Sequence, residues 1–237
     1  MSTQQRAVVT RDQLLTAAED CFARSGYDAA GVAEICVTAG VSKGAFYHHF
    51  PTKQALFIAL LNRWLAVLDV TLQQIRAGAT GAVDAIERMT EALRPLFKEG
   101  RAQMVIVFEF WSQARREPAV WQATIDPYRR YQAYVADIIR DGIAQGAFRA
   151  VEPNLVAQML MSLVVGLLLQ GMMDPDGADW GKVLRDSMSL FLANLAADSE
   201  AVLPISSESP GVAPLPDIPA KKKKKKKSHR KHGNKDK

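Results

Sequence analysis

Between Gly40 and Phe57 the chain reads Gly-Val-Ser-Lys-Gly-Ala-Phe-Tyr-His-His-Phe-Pro-Thr-Lys-Gln-Ala-Leu-Phe. Ser42 can cap a very short helix running from Lys43 to Phe50, and Pro51-Thr52 breaks it and starts another. On that helix Phe46 and Phe50 lie four residues apart and face inward with Val41. Lys43, Gly44, Tyr47 and His48 then occupy the opposite side, flanked by Ala45 and His49. Such a helix buries little of itself and presents side chains, and their chemistry suits duplex DNA. Lys43 and the helix N-terminus attract a phosphate. Gly44 and Ala45 let the backbone approach base edges, and Ala45 can touch a thymine methyl. Tyr47 offers a hydroxyl to phosphate and a ring to sugar or thymine, while Thr52 and Lys53 can clamp the backbone on the far side. Each residue alone is ordinary surface. Together, on one helix face after a helix and a short turn, they fit helix-turn-helix geometry.

The elements that must hold this face are helices. Thr10 can cap a first helix whose apolar positions Leu14, Leu15, Ala18, Cys21 and Phe22 recur at three- and four-residue spacing, with Gly26 ending it. A second, about Val32 to Ala39, shows Val32, Ile35, Cys36 and Ala39 on one side. A fourth starts near Thr52 and runs towards Ala77, with Leu56, Leu60, Trp64 and Leu68 aligned. Periodic segments follow at about 81–98, 101–115, 118–146, 153–173 and 180–197, the last capped by Asp179. They are punctuated by Pro118, Pro127, Pro153, Pro175 and glycines 78, 81, 100 and 146. With no alternating strand pattern, the expected fold is all-α with about nine helices. The expected domains are a helix-turn-helix domain over 1–54, a ligand-binding and dimerisation domain over 55–198, and a disordered linker with polybasic tail over 199–237.

Composition, 48% hydrophobic and 23% charged, suits a soluble globular protein, and no secretory leader pattern opens the chain. A cytoplasmic location is expected, with Cys21 and Cys36 as small buried hydrophobes in a reducing compartment. The net charge of +5 is misleading. The last 17 residues hold eleven Lys or Arg and one Asp, whereas the preceding 220 carry 19 basic and 24 acidic residues, a net of −5. Residues 1 to 53 balance Arg6, Arg11, Arg24, Lys43 and Lys53 against Asp12, Glu19, Asp20, Asp28 and Glu34. Placement of charge, not bulk charge, must identify a DNA binder here. Residues 199–220, with five prolines and four serines, cannot repay the entropy of folding.

Residues 10 to 57 resemble the N-terminal domain of the tetracycline-repressor (TetR) family. The resemblance lies in Cys-Phe-Ala-Arg-Ser-Gly-Tyr, then Val-Ala-Glu-Ile, then Ala-Gly-Val-Ser-Lys-Gly-Ala-Phe-Tyr-His-His-Phe, then Lys-Gln-Ala-Leu. It implies DNA contacts from Ser42, Lys43, Gly44, Ala45, Tyr47, His48 and Lys53, with Phe46 and Phe50 holding the helix. Where the family often places a phosphate-binding hydroxyl pair before Val32, this chain has Ala30 and Gly31, whose backbone N–H groups remain to serve. Residues 107 to 118, Val-Phe-Glu-Phe-Trp-Ser-Gln-Ala-Arg-Arg-Glu-Pro, and the later Tyr-Arg-Arg-Tyr resemble the betaine-regulator (BetI) type of C-terminal domain.

Met104, Phe108, Phe110 and Trp111 concentrate around Glu109, and Trp64, Met89, Trp121, Tyr128, Tyr131 and Met159 are candidates to face the same interior. An ordinary aromatic core is the alternative; Met-rich aromatic walls also make adaptable pockets, here for an apolar or amphipathic effector. Glu109 is expected to face solvent or pair with an arginine. The uncharged run 155–173 suits a membrane span by length, but Gln158, Ser162 and Gln170 and its acidic flanks favour a dimer helix, paired with 180–197 in a four-helix bundle. Two recognition helices about 34–36 Å apart would then read a palindromic operator. All four histidines, 48, 49, 229 and 232, lie outside the body, and no metal-ligand spacing or nucleophile–base pair appears, so no metal, cofactor or enzyme activity is expected. The expected function is a DNA-binding transcriptional repressor, homodimeric and released by a small effector. The rival readings are a nonspecific DNA binder using its tail and a helical enzyme without recognised catalytic groups.

Overall fold

Apolar residues at helical spacing, interrupted by glycine and proline, produce ten helical segments in the computed structural model, which describes residues 3–98 and 101–197. They are α1 (Thr3–Ala29), α2 (Val32–Ala39), α3 (Lys43–His49), α4 (Lys53–Gly78), α5 (Ala82–Leu93), α6 (Pro95–Lys98), α7 (Arg101–Ala114), α8 (Pro118–Ala144), α9 (Pro153–Met173) and α10 (Trp180–Leu195). Since α6 is a single turn, nine of them are longer than one turn. Among the described residues the extended pairing is one isolated bridge, Phe148 to Ala196, so the all-α expectation holds. Residues 199–237, read as linker and tail, lie outside the described residues.

The caps follow local chemistry. Ser42, Thr52 and Asp179 each accept a hydrogen bond from a backbone N–H in the first turn of the helix they precede. Gly40, at φ 66°, closes α2, and the next N–H, that of Val41, reaches back to the Cys36 carbonyl at 3.0 Å.

Three expectations need correction. Thr10 is not a cap: α1 begins at Thr3, because residues 3–9 contain no breaker and Gln, Arg and Ala sustain a helix. Pro127 does not punctuate, since α8 passes through it. Proline forfeits one backbone hydrogen bond there, but Val120 on one side and Val135, Ala136, Ile138 and Ile139 on the other are buried and hold the helix together. The segment 81–98 is divided, although Arg94 keeps helical φ and ψ: Pro95 has no N–H to return to the Glu91 carbonyl, which accepts from the Arg94 N–H at 3.3 Å instead.

Two clusters form the core. The first takes Leu14, Leu15, Phe22, Ile35, Phe46, Phe50, Leu56, Phe57 and Leu60 from α1–α4 and its boundary, and also Ile106, Phe110 and Val120 from α7 and α8. The second joins α5, α8, α9 and α10 through Ile86, Ile139, Leu160, Leu184, Met188 and Leu195. The helix α4 reaches both, with Leu56 to Leu61 in the first and Ile75 in the second. Both α4 and α9 are long and apolar enough to cross a membrane. However, α4 carries Arg63 paired with Glu19 and Asp69 paired with Arg130.

Candidate functional site

The short helix α3 is anchored from below. Phe46 and Phe50 are buried, with ring centroids 6.1 Å apart, and the Arg11 guanidinium lies 5.3 Å over the Phe50 ring. Val41 is half-buried beside them. The Ser42 hydroxyl accepts from the Ala45 N–H at 3.1 Å and the Thr52 hydroxyl from the Ala55 N–H at 3.0 Å, so both ends of the presenting segment are set. Ser42, Lys43, Gly44, Tyr47, His48 and Thr52 are exposed, while Ala45 and His49 are half-buried. Tyr47 keeps 55% of its surface open, with its ring edge-on to the buried Phe46 at 5.2 Å. A side chain at Gly44 would meet only the Ser42 hydroxyl, at 3.7 Å. The fold itself therefore does not demand glycine there, which fits close approach of a partner. Burial, followed by the charges of His48 and Arg11, holds the His49 imidazole below its ordinary 6.5, so it presents a neutral ring at neutral pH.

Lys53 departs from the expected phosphate clamp. Its ammonium donates to the carbonyl oxygens of Tyr27 at 2.7 Å, Ala30 at 3.1 Å and Asp28 at 3.3 Å, and sits 4.4 Å from the Tyr27 ring centroid. All three donors of an ammonium are thus engaged, and Lys53 ties the start of α4 to the turn between α1 and α2. The Ala30 N–H also differs from expectation: it donates to the Gly26 carbonyl at 3.3 Å and Ala30 is fully buried. Gly31 stays exposed at the uncapped N-terminus of α2.

Sequence reasoning missed the seam along α7. Phe110 stacks on Phe57 with centroids 3.8 Å apart, and Gln113 Nε2 donates to Asp28 Oδ1 at 3.2 Å. One end of the helix adds Gln103 Nε2, which donates to Glu19 Oε1 at 3.0 Å, while Arg63 pairs with the other Glu19 oxygen. Beyond α7, Gln54 Nε2 donates to Glu117 Oε2 at 3.0 Å. Glu109, expected in solvent or on an arginine, is half-buried with Oε1 3.1 Å from where a side chain on Gly26 would begin. Gly26 itself has φ 77° and ψ 165°, a conformation essentially restricted to glycine. No spacing rule predicts these contacts, because each joins residues more than 40 apart in the chain.

The aromatic residues expected around one interior are dispersed. A cavity of about 120 Å³ opens between α6, α7 and α9, lined by Leu96, Phe97, Met104, Val105, Leu168, Gly171 and Met172. Of the candidates, only Met104 lines it. Trp64 packs edge-on to Phe110 in the first core cluster, and Met89 packs on the second. Phe108 meets Trp111 at 5.1 Å. The Tyr131 hydroxyl donates to Asp69 Oδ1 at 2.9 Å, and Tyr128 is half-buried. Trp121 and Met159 are 46% and 50% exposed. The reason is helical phase: these residues share a composition but point into different seams between helices. Leu155, Met159, Leu169 and Met173 form an exposed apolar stripe on α9, and Leu190 is exposed on α10.

Among the described residues no three His, Cys, Asp or Glu side chains gather to hold a metal. Cys21 and Cys36 are buried free thiols, and burial pushes the Cys36 thiol up, away from the reactive thiolate.

Comparison with known proteins agrees with this arrangement. Residues 14–60 match the family of bacterial regulatory proteins, tetR family, and residues 82–196 match the BetI-type transcriptional repressor C-terminal family. The chain is 27% identical over 166 residues to the HTH-type transcriptional regulator UidR of Escherichia coli K12, covering 70% of this chain and 83% of UidR. It is 30% identical over 149 residues to the HTH-type transcriptional repressor KstR2 of Mycolicibacterium smegmatis, covering 62% of this chain and 71% of KstR2. In structure it is similar to a transcriptional regulator from Saccharomonospora viridis in complex with choline, with a TM-score of 0.71, 24% identity, and coverage of 78% and 97%. Salmonella enterica GusR superposes with a TM-score of 0.61 at 26% identity, over 77% and 95%.

Proposed function

Because the chain belongs to the tetR family of bacterial regulatory proteins and carries a BetI-type C-terminal domain, we propose that it is a dimeric repressor released from a palindromic operator by a small apolar or amphipathic effector. It is a helix-turn-helix transcriptional regulator, and the family is not one of enzymes. The observation that carries the proposal is α3. This Ser42-capped helix turns Lys43, Gly44, Tyr47 and His48 outward from the buried pair Phe46 and Phe50. Ser42, Ala45, His49 and Thr52 complete the proposed DNA contacts. Lys53 supports them by holding the turn beneath rather than by meeting phosphate.

Dimerisation is supported by the exposed stripe of α9 with Leu190 of α10, an apolar face that a second copy would cover in a four-helix bundle. Repression is favoured by relatives such as KstR2. Release is supported by α7, which carries Met104 and Val105 on the cavity and sets Gln103 and Gln113 against α1 and Phe110 against α4, the helices that pack around the reading helix. An effector that binds one spacing of the two readers better than another shifts the population between them. The cavity is below the roughly 300 Å³ of a drug-sized site, so an effector must part α7 from α9. Its lining of Met, Leu, Phe and Val suits an apolar or amphipathic molecule. Stearoyl-CoA, found on Bacillus subtilis FadR, is amphipathic, whereas choline, found on a Saccharomonospora viridis relative, is a small quaternary ammonium cation.

Selection of genomic fragments on the purified full-length protein tests the reading. The expected result is an inverted repeat with half-site centres about one helical turn apart, bound by a species that light scattering reports as a dimer. Recovery without sequence preference, or a monomer at micromolar concentration, overturns it. A thermal-shift and native mass-spectrometry screen that finds only small polar anions stabilising the protein overturns the effector class.

A further inference from the structure

We propose that the lysine-rich tail, Lys221 to Lys227 with Arg230, Lys231, Lys235 and Lys237, is a second DNA-binding module that neutralises phosphates flanking the site read by α3. This rests on the reading of α3 given above. The argument begins with a shortage of cations on the reader. Of the five basic residues up to position 53, Arg6 is exposed near the start of α1, Lys53 has its three donors on backbone carbonyls and Arg24 is paired with Glu34 at 3.0 Å. Arg11 lies over Phe50. Ahead of α2, Ala30 and Gly31 offer no side-chain donor to a phosphate, and the Ala30 N–H is engaged by the Gly26 carbonyl. Lys43 is the exposed cation at the reading helix itself.

Sequence-independent attraction to duplex DNA comes from cations that displace condensed counterions, and a reader with so few supplies little of it. The first 220 residues together repel the duplex, with a net charge of −5. The tail reverses that balance with eleven basic residues and one acid in 17 positions. Twenty-five residues separate Leu195, the last of α10, from Lys221. A chain of that length spans at most about 85 Å, longer than two turns of duplex at about 34–36 Å each. The competing destination within the protein is the groove between α1 and α2, which offers Asp12 and Asp20. Duplex DNA carries about one charge per 1.7 Å and outcompetes two carboxylates. Specificity and affinity are thereby divided: α3 selects the site and the tail strengthens the hold on whatever duplex adjoins it.

The test uses the full chain and a variant with Lys221→Gln through Lys227→Gln, titrated over a salt series on the selected fragment and on a random duplex of about 40 base pairs. The variant is expected to bind both duplexes more weakly at low salt, by about tenfold or more, with a slope against log salt shallower by as much as about six per chain. The preference for the selected fragment should be unchanged. Equal slopes for the two proteins overturn the proposal. So does tighter DNA binding by the variant, which would seat the tail on the acidic groove. If the charges are needed instead for binding vesicles containing phosphatidylserine, with DNA slopes unaltered, the proposal fails and the tail serves a membrane surface. Failure of the α3 reading looks different: the unsubstituted protein would then show no preference between fragment and random duplex, whatever the tail does.

Discussion

The reading helix α3 and the effector body are both helical and both carry aromatic side chains, yet their sequence signals behaved differently. In α3, residues 43 to 50 form one unit. Phe46 and Phe50 go inward, Lys43, Tyr47 and His48 go outward, and the cap at Ser42 is the one expected. In the body, the aromatic and methionine residues chosen for one interior go to at least three places, and the cavity is lined by residues such as Leu96, Phe97, Leu168 and Met172. The difference teaches where periodicity suffices. Within a single helix, sequence neighbours are spatial neighbours, so phase decides orientation. Between helices, the relative rotation and offset of α6, α7 and α9 decide which side chains meet, and those are properties of packing.

The sharpest way to break the comparison is at the base of α3. Phe46→Ala should cost about 3–5 kcal/mol, read as a fall in urea midpoint, because the ring is fully buried in the first core cluster. In the body, Trp121→Ala should change stability by only about 0.5 kcal/mol, since the side chain is 46% exposed. A large loss at Trp121 would mean that the aromatic set does build an interior.

Next in size is a pair of lysines. Lys53→Gln should lower stability by about 1–3 kcal/mol through the three carbonyls it leaves, with little change in the salt slope of DNA binding. Lys43→Gln should do the reverse, leaving thermal stability within about 0.5 kcal/mol and reducing the salt slope by about one. If both lysines behave as Lys43 is expected to, Lys53 is a phosphate contact after all.

The smallest effect is in pH. Burial lowers His49 below its ordinary 6.5, so below that value the unfolded chain takes up a proton that the folded chain resists. Stability then rises with pH in that window and is lost as pH falls through 6.5 towards the folded value. The melting temperature of the wild type should fall more between pH 7.5 and 5.5 than that of His49→Gln. Equal falls would place the acid sensitivity elsewhere.

By itself the sequence determined the helices, the turn at Gly40, the inward pair Phe46 and Phe50, and the face built on Lys43, Gly44, Tyr47 and His48. Capping groups and helical period act over at most a few residues, so their consequences are readable along the chain. Tertiary structure alone decided that Lys53 holds the carbonyls of Tyr27, Asp28 and Ala30, that Glu109 closes on Gly26, that Phe110 stacks on Phe57, and that only Met104 of the expected set reaches the cavity. Each of those outcomes brings together groups from separate helices. A lysine four residues past the end of α3 looks the same in sequence whether its ammonium meets a phosphate or a turn. The three carbonyls left free after Gly26 are what made the turn its partner, and only the folded chain places them within 3.3 Å.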